Sequence, residues 1–268
     1  MSKIRLDQAL VQQGWAATRQ KAQAVIMAGQ VFSGGKRLDK CGMQIAPDTV
    51  LEVRGNPLPY VSRGGLKLEK AMQLWPLTLE NKICMDCGAS TGGFTDCMLQ
   101  NGASRVYSVD VGYGQLDWKL RCDARVVNME RTNARYLTRE QIPEPLDFVS
   151  VDVSFISLGL ILPALRPLLK EHGQLVCLIK PQFEAGREKV GKKGVVRDPA
   201  VHREVLEQFL THAADNALTV CGLTFSPIRG PEGNIEYLGW LEADGGQEQI
   251  PDLAELVRQS HEALENPR

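Results

Sequence analysis

The 268-residue chain has no apolar run approaching 18 residues, so no segment is suited to cross a bilayer as a helix. Its start, Met1-Ser2-Lys3-Ile4-Arg5-Leu6-Asp7, lacks an apolar stretch behind the first charges, which argues against a secretory signal. Histidine is scarce: His172, His202, His212 and His261 stand at no metal-ligand spacing. The 7 cysteines are odd in number and scattered, a usage that fits reduced thiols in the cytoplasm and not a disulfide framework. Cys84-Met85-Asp86-Cys87 is a C-x-x-C without a second ligand pair. Within a strand, residues three apart face opposite ways, so these two are expected to be structural thiols and no metal site is expected. Charge of one sign is also missing. With 31 Lys+Arg against 32 Asp+Glu the net charge is −1, an average that speaks against a polyanionic partner.

The distribution reverses that reading. Residues 1–60 carry Lys3, Arg5, Arg19, Lys21, Lys36, Arg37, Lys40 and Arg54 against Asp7, Asp39, Asp48 and Glu52, a net charge of +4. A second basic stretch, 180–203, holds seven bases and three acids, whereas 204–268 holds three bases and twelve acids. A basic head, a basic internal loop and an acidic tail point to an anionic partner on one side.

In the head, Leu6, Ala9, Leu10 and Val11 repeat at helical spacing up to Gly14. Thr18 can cap a second helix that buries Ala22, Val25, Ile26 and Met27 and stops at Gly29. Val31-Phe32 and 49–53 read as strands, with Ser33-Gly34-Gly35-Lys36 as a tight turn. Gly55-Asn56-Pro57-Leu58-Pro59 then breaks all periodicity, as a linker does. The order Arg5-Leu6-Asp7, Gly14, Thr18-Arg19, Ala22, Gly29, Val31 resembles the S4 RNA-binding domain over residues 3–53. The resemblance implies Arg5, Arg19, Lys21, Lys36 and Lys40 as phosphate contacts. Counterion release by a one-sided basic surface supplies the physical reason. Without an aromatic platform in the head, shape and phosphate recognition is expected over reading of single-stranded bases.

From 82 to 242, β-branched runs at 82–85, 105–109, 126–127, 148–151 and 175–179 alternate with helical stretches. This pattern implies an α/β fold with a mostly parallel sheet covered on both faces. Two later runs, 218–228 and 235–241, read as an antiparallel edge hairpin, and 251–264 as a closing amphipathic helix. The first strand runs into Gly88-Ala89-Ser90-Thr91-Gly92-Gly93-Phe94, a Gly-rich turn that lets a ligand approach the backbone at a helix start. It is neither G-x-G-x-x-G in register nor a P-loop. Asp110 ends the second strand, where an acid can bind ribose hydroxyls. Turn and acid alone suit either a nicotinamide dinucleotide or S-adenosylmethionine. Strand ends converge in such sheets, so Lys67, Asp152, Lys180 and Glu236 are expected to cluster.

Further segments carry a second resemblance: Ser62-Arg63-Gly64-Gly65, Gly88 to Thr95, Asp110-Val111-Gly112-Tyr113, Glu130-Arg131-Thr132-Asn133, Ser154-Phe155-Ile156-Ser157, Lys180-Pro181-Gln182-Phe183-Glu184 and Gly194-Val195-Val196. With the head, they resemble the TlyA (hemolysin A) family of ribosomal RNA 2′-O-methyltransferases, which join an S4 domain to an FtsJ-like domain. The resemblance implies a small α+β S4 domain with linker over 1–58. It further implies a Rossmann-like, seven-stranded methyltransferase domain over 59–268. It places a Lys-Asp-Lys-Glu catalytic tetrad on Lys67, Asp152, Lys180 and Glu236, with Lys180 the candidate base. S-adenosylmethionine is the expected cofactor, held by the segment from Gly88 to Phe94 and by Asp110, Glu130 and Asp152. Ribosomal RNA or ribosomal subunits are the expected partner, contacted by Arg63, Lys189, Lys192, Lys193 and Arg197 as well as the head. No membrane and no obligate protein partner are expected. The loop 187–203 could clamp RNA phosphates or stay disordered until RNA binds. Entry into the S4 module without a long leader suits family members that act on the large subunit alone; the small subunit stays open, and cytidine is the implied nucleotide. Three rivals are a membrane-active haemolysin, an RNA-binding protein with a vestigial cofactor pocket and a nicotinamide dehydrogenase. No membrane-inserting stretch supports the first, the intact glycines and tetrad oppose the second, and the third leaves tetrad and head unexplained.

Overall fold

A computed structural model describes residues 3–16, 18–27, 29–54, 58–191 and 193–265. Lys192 and the Gly55-Asn56-Pro57 part of the expected linker lie outside the described residues. The chain divides into two compact units, Met1–Pro59 and Tyr60–Arg268.

The first unit runs β1 (Ile4–Arg5), α1 (Leu6–Gln12), α2 (Arg19–Met27), β2 (Val31–Ser33), β3 (Lys36–Arg37), β4 (Gln44–Ile45) and β5 (Glu52–Val53). Leu6 and Leu10 of α1 pack with Ala22 and Ile26 of α2 and with Val31. Thr18 Oγ1 accepts the Lys21 N–H at 3.2 Å, as the cap reading requires. The strand expected over 49–53 narrows to β5, paired with β2, and β1 pairs with β4. Two-residue strands are too short to show a period, so the second pairing left no trace in the pattern. The surprise in this unit is Asp7. It is fully buried, and its carboxylate accepts from Arg5 (2.9 and 3.0 Å), Arg19 (3.0 Å) and Gln23 (3.0 Å). Those donors, Arg5 foremost, hold its carboxyl well below the usual carboxylate range.

The second unit opens with α3 (Gly65–Leu74) and β6 (Ile83–Cys87), followed by α4 (Gly93–Gln100), β7 (Arg105–Val109), α5 (Trp118–Arg121), β8 (Val126–Met129) and β9 (Leu146–Val151). It continues through α6 (Leu158–Leu165), β10 (Leu169–Ile179), α7 (Pro181–Glu184), α8 (Pro199–Asp215), β11 (Leu218–Phe225), β12 (Tyr237–Ala243) and α9 (Leu253–Glu265). The seven strands order as β11-β12-β10-β9-β6-β7-β8. β10, β9, β6, β7 and β8 are parallel, and β12 runs antiparallel to both its neighbours. The expected hairpin is present, with its return strand inserted between β10 and β11, so of its two strands β11 alone lies at a sheet edge.

Each sheet face has its own apolar core. One contains Met85, Cys87, Val149 and Cys177 with residues of α6, α8 and α9; the other contains Cys84, Val106, Phe148 and Val176 with residues of α3 and α4. The C-x-x-C is thus split across the sheet, as the strand period demands. Burial pushes the Cys84 thiol up to about 12 and the Cys87 thiol higher still, which leaves both inert. Among the described residues no His/Cys/Asp/Glu cluster could hold a metal, and no helix is long and apolar enough to cross a membrane.

The loop expected over 187–203 is shorter. Asp198 accepts the Ala200 N–H at 2.9 Å and Pro199 takes the first helical position, so α8 starts there and Arg203 lies on the helix. β10 also begins at Leu169, earlier than its apolar run, across a register irregularity between Leu169 and Gln174.

Candidate active site

The chain leaves β6 for β7 and β8 on one side of the sheet, then returns for β9 and β10 on the other, so a crevice opens beyond the C-terminal ends of β6 and β9. Asp152 directly follows β9 and Lys180 directly follows β10. Because β12 is antiparallel, its start lies at this same end. Ile179 pairs with Tyr237, which puts Lys180 and Glu236 side by side. Lys67 comes from the first turn of α3.

These four side chains form one line of alternating charge. Glu236 Oε2 accepts from Lys67 Nζ at 2.7 Å, and Lys67 Nζ lies 3.9 Å from Asp152 Oδ2. Asp152 Oδ1 lies 2.5 Å from Lys180 Nζ, which also donates to Ser154 Oγ at 3.1 Å. Glu236 is 1% exposed, Lys67 7% and Lys180 8%, so these three charges are out of bulk water and held by their neighbours, while Asp152 between the lysines is half-buried. Two cations and two anions make the line neutral, which is what lets it sit so deep.

A cavity of about 830 Å³ opens onto this line. Its walls include Arg63 and Gly64 ahead of α3, Gly88, Ala89, Ser90, Thr91, Gly93 and Phe94 from the turn after β6, Phe155 after β9, and Arg187 and Arg229 from the later loops. The turn is shaped for close approach. Gly88 has φ +90°, and a Cβ there would meet the Asp152 carbonyl oxygen at 2.3 Å; a Cβ on Gly93 would meet Ser62 Oγ at 2.3 Å. At the start of α4 the Thr95 N–H is taken by Asp86 Oδ2 (2.8 Å) and the Asp96 N–H by the Gly92 carbonyl (2.8 Å). The earlier N–H groups of that turn belong to Gly93 and Phe94, both of which line the cavity, and they are suited to an anionic group.

Of the expected cofactor residues, Gly92, Asp110 and Glu130 do not line this cavity. Gly92 turns away, toward Leu116 and Leu120. Asp110 buttresses the turn: its two oxygens accept the Ser90 and Gly112 N–H groups, each at 2.7 Å. Glu130 accepts the Gly114 N–H at 2.7 Å and pairs with Arg121.

Of the expected RNA contacts, Arg63 is exposed and lines the cavity. Lys21, Lys36, Lys40, Lys193 and Arg197 are exposed, and among the described residues none makes an ion pair. Arg5 and Arg19 are bound to Asp7, and Lys189 pairs with Glu204, so part of their charge is spent inside the protein.

The sequence reading did not single out three residues that the fold brings to the site. Asp86, fully buried behind the turn, accepts from Thr95 Oγ1 at 2.7 Å; burial pushes its carboxyl up to about 7 despite those donors. Phe155 is 89% exposed at φ +64° and packs its ring 4.9 Å from that of Phe183. A large side chain held at positive φ and left in solvent at a cavity rim marks a site built to touch something. Ser154 bonds to Lys180. The signals for Phe155 and Ser154 lay in the segment after β9, but their orientation depends on that backbone strain.

Residues 60–243 match the family model of FtsJ-like methyltransferases, and residues 4–51 match that of the S4 domain. An rRNA methyltransferase of provisional assignment from Bacillus subtilis, YqxC, is 54% identical over 99% of this chain and 97% of its own length. Hemolysin A of Brachyspira hyodysenteriae is 44% identical over 88% of this chain and 98% of its own. The 16S/23S rRNA (cytidine-2′-O)-methyltransferase TlyA of Mycobacterium tuberculosis is 42% identical over 89% of this chain and 90% of its own. The solved structure of a Streptococcus thermophilus chain, provisionally designated a hemolysin, superposes with a TM-score of 0.78 at 50% identity, covering 99% of this chain and 98% of that one.

Proposed function

The chain belongs to the FtsJ-like methyltransferases that carry an N-terminal S4 domain, the group of TlyA and hemolysin A, and from this we propose that it methylates the 2′-hydroxyl of a cytidine ribose in ribosomal RNA. The observation that carries the reading is the buried line Glu236–Lys67–Asp152–Lys180 at the cavity floor. The large subunit is the first expected target and the small subunit the second. The S4 unit with its linker (1–58) would grip folded RNA, and the body (59–268) would perform the transfer in the cytoplasm.

The turn from Gly88 to Phe94 fits S-adenosylmethionine: a tight glycine-bearing backbone and first-turn N–H donors for its carboxylate, with Asp110 bracing the turn through the Ser90 N–H. When bound, S-adenosylmethionine supplies a methyl carbon on a cationic sulfur, which departs with the C–S electron pair as a neutral thioether. The protein's own groups do the rest. Lys180, having first released its own ammonium proton to solvent through the open cavity, accepts at Nζ the proton of the attacking 2′-hydroxyl as the new O–C bond forms. Asp152 fixes Lys180 from one side and is itself oriented by Lys67, which Glu236 anchors. Arg63 and Arg187 at the rim suit the phosphates flanking the target, and the open face of Phe155 suits its base.

The test is labelled methyl transfer to naked rRNA and to each ribosomal subunit, with mapping of the modified ribose. A 2′-O-methylcytidine that appears with the wild-type chain and not with Lys180→Ala supports the reading. Absence of labelling on every ribosomal substrate overturns it.

A further inference from the structure

A neutral hydroxyl adjoins the end of the line of charges. Ser154, two residues beyond Asp152, lines the cavity, and its hydroxyl accepts from Lys180 Nζ at 3.1 Å. Asp152 Oδ1, 2.5 Å away, is the other acceptor on that nitrogen. A tetrahedral amine nitrogen has four directions, one of them taken by its own carbon. Once Lys180 has given up its ammonium proton to act as base, its amine has two N–H bonds and one lone pair to place in the other three. With Asp152 as sole acceptor, one N–H is fixed and the lone pair can occupy either remaining direction. With Ser154 as second acceptor, both N–H bonds are fixed and the lone pair has a single direction left.

We propose that Ser154 is a positioning residue that locks the Lys180 amine so that its lone pair faces the incoming ribose hydroxyl. The assignment rests on the reading of Lys180 as the base. Three features of the geometry support it. Among the described residues the Ser154 hydroxyl has no other protein partner, so the helix-capping role taken nearby by Ser157 is not its own. Phe155, the next residue, is held at φ +64°, so the backbone bears strain just where Ser154 turns toward the nitrogen. Lys180 is 8% exposed, so its stem is confined and only rotation of its terminal amine is left to be fixed. Proton transfer during the reaction is consistent with this: the 2′-hydroxyl proton takes the lone-pair direction, and the resulting ammonium keeps its bonds to Asp152 and Ser154.

The experiment compares wild type, Ser154→Ala and Ser154→Thr in full-length protein, using tritiated S-adenosylmethionine and unmethylated bacterial ribosomal subunits. Ser154→Ala is expected to lower kcat by roughly 10-fold, a fraction of the effect of a whole general base, with KM for the subunit unchanged. S-adenosylmethionine affinity, read by calorimetry, should also be unchanged. Ser154→Thr keeps the hydroxyl and should recover most of kcat. A Ser154→Ala enzyme with wild-type kcat, a threonine variant no better than alanine, or a change confined to KM would each overturn the assignment while leaving the methyl-transfer reading intact. A wild-type chain that labels no ribosomal substrate would overturn both.

Discussion

The carboxylates of this protein show how far environment sets chemistry. Asp152 is one of two acids in a neutral line of four charges, and its two oxygens serve two lysines at 3.9 and 2.5 Å. Removing it would leave Lys180 without a carboxylate partner and Glu236 as the one counterion of two lysines. Asp152→Ala is therefore expected to lower kcat by at least about 10²-fold, and Lys180→Ala by roughly 10²–10⁴-fold, the range of a general base, with S-adenosylmethionine still bound by the latter variant; single-turnover methylation and calorimetry check both. Asp86 works differently. Burial raises its carboxyl from 3.8 to about 7, so the folded chain holds the proton more tightly than the unfolded chain between those values. Its contribution to stability is complete below the unfolded value of 3.8 and is lost as pH rises toward about 7. The wild type is thus expected to lose stability over that interval relative to Asp86→Asn, by on the order of 4 kcal/mol, in denaturant melts at several pH values. Glu236 and Lys67 were legible as a pair only through local motifs, since 169 residues separate them in the chain.

At the scale of elements, the turn after β6 and the pair α1–α2 each depend on one residue that no periodicity reveals. Gly88→Ala would drive a Cβ into the Asp152 carbonyl oxygen at a positive φ, so a loss of about 1–3 kcal/mol is expected, together with loss of S-adenosylmethionine binding in calorimetry. Asp7 joins Arg5, at the start of α1, to Arg19 and Gln23 of α2. Its carboxyl lies below the usual range, so its contribution is present above the unfolded value of 3.8 and is lost as pH falls through the lower folded value. Acid melts of the chain should show the first unit lose protection in amide exchange below that unfolded value, and Asp7→Asn should lose it already at neutral pH. The helices and parallel strands were readable because each exceeds one period of its pattern. Strands of two residues were not, and the start of α8 was mistaken for loop because a proline and a basic stretch masked an Asp cap.

For the molecule as a whole, charge is arranged by region. Lys21, Lys36 and Lys40 project from the first unit with no internal counterion among the described residues, whereas Arg5 and Arg19 share Asp7. The triple change of those lysines to alanine is expected to raise KM for ribosomal RNA and leave kcat unchanged. The log–log salt slope of binding should fall by roughly 2–3, about 0.7–0.9 for each phosphate that is no longer neutralised. Filter binding across a salt series measures it. Net charge of −1 could not have predicted this, because it averages a basic head with an acidic tail. The sequence by itself determined the two-unit plan, the alternation of the longer strands with helices and which four side chains make up the line of charges, since each rests on local periodicity, turn chemistry or motif. Only the tertiary structure decided that β12 inserts antiparallel beside β10, which carries Glu236 to Lys180, that Asp7 absorbs two of the expected RNA contacts, and that Ser154 closes the line of charges. Each of these depends on groups that meet across the fold, where register and burial replace spacing along the chain.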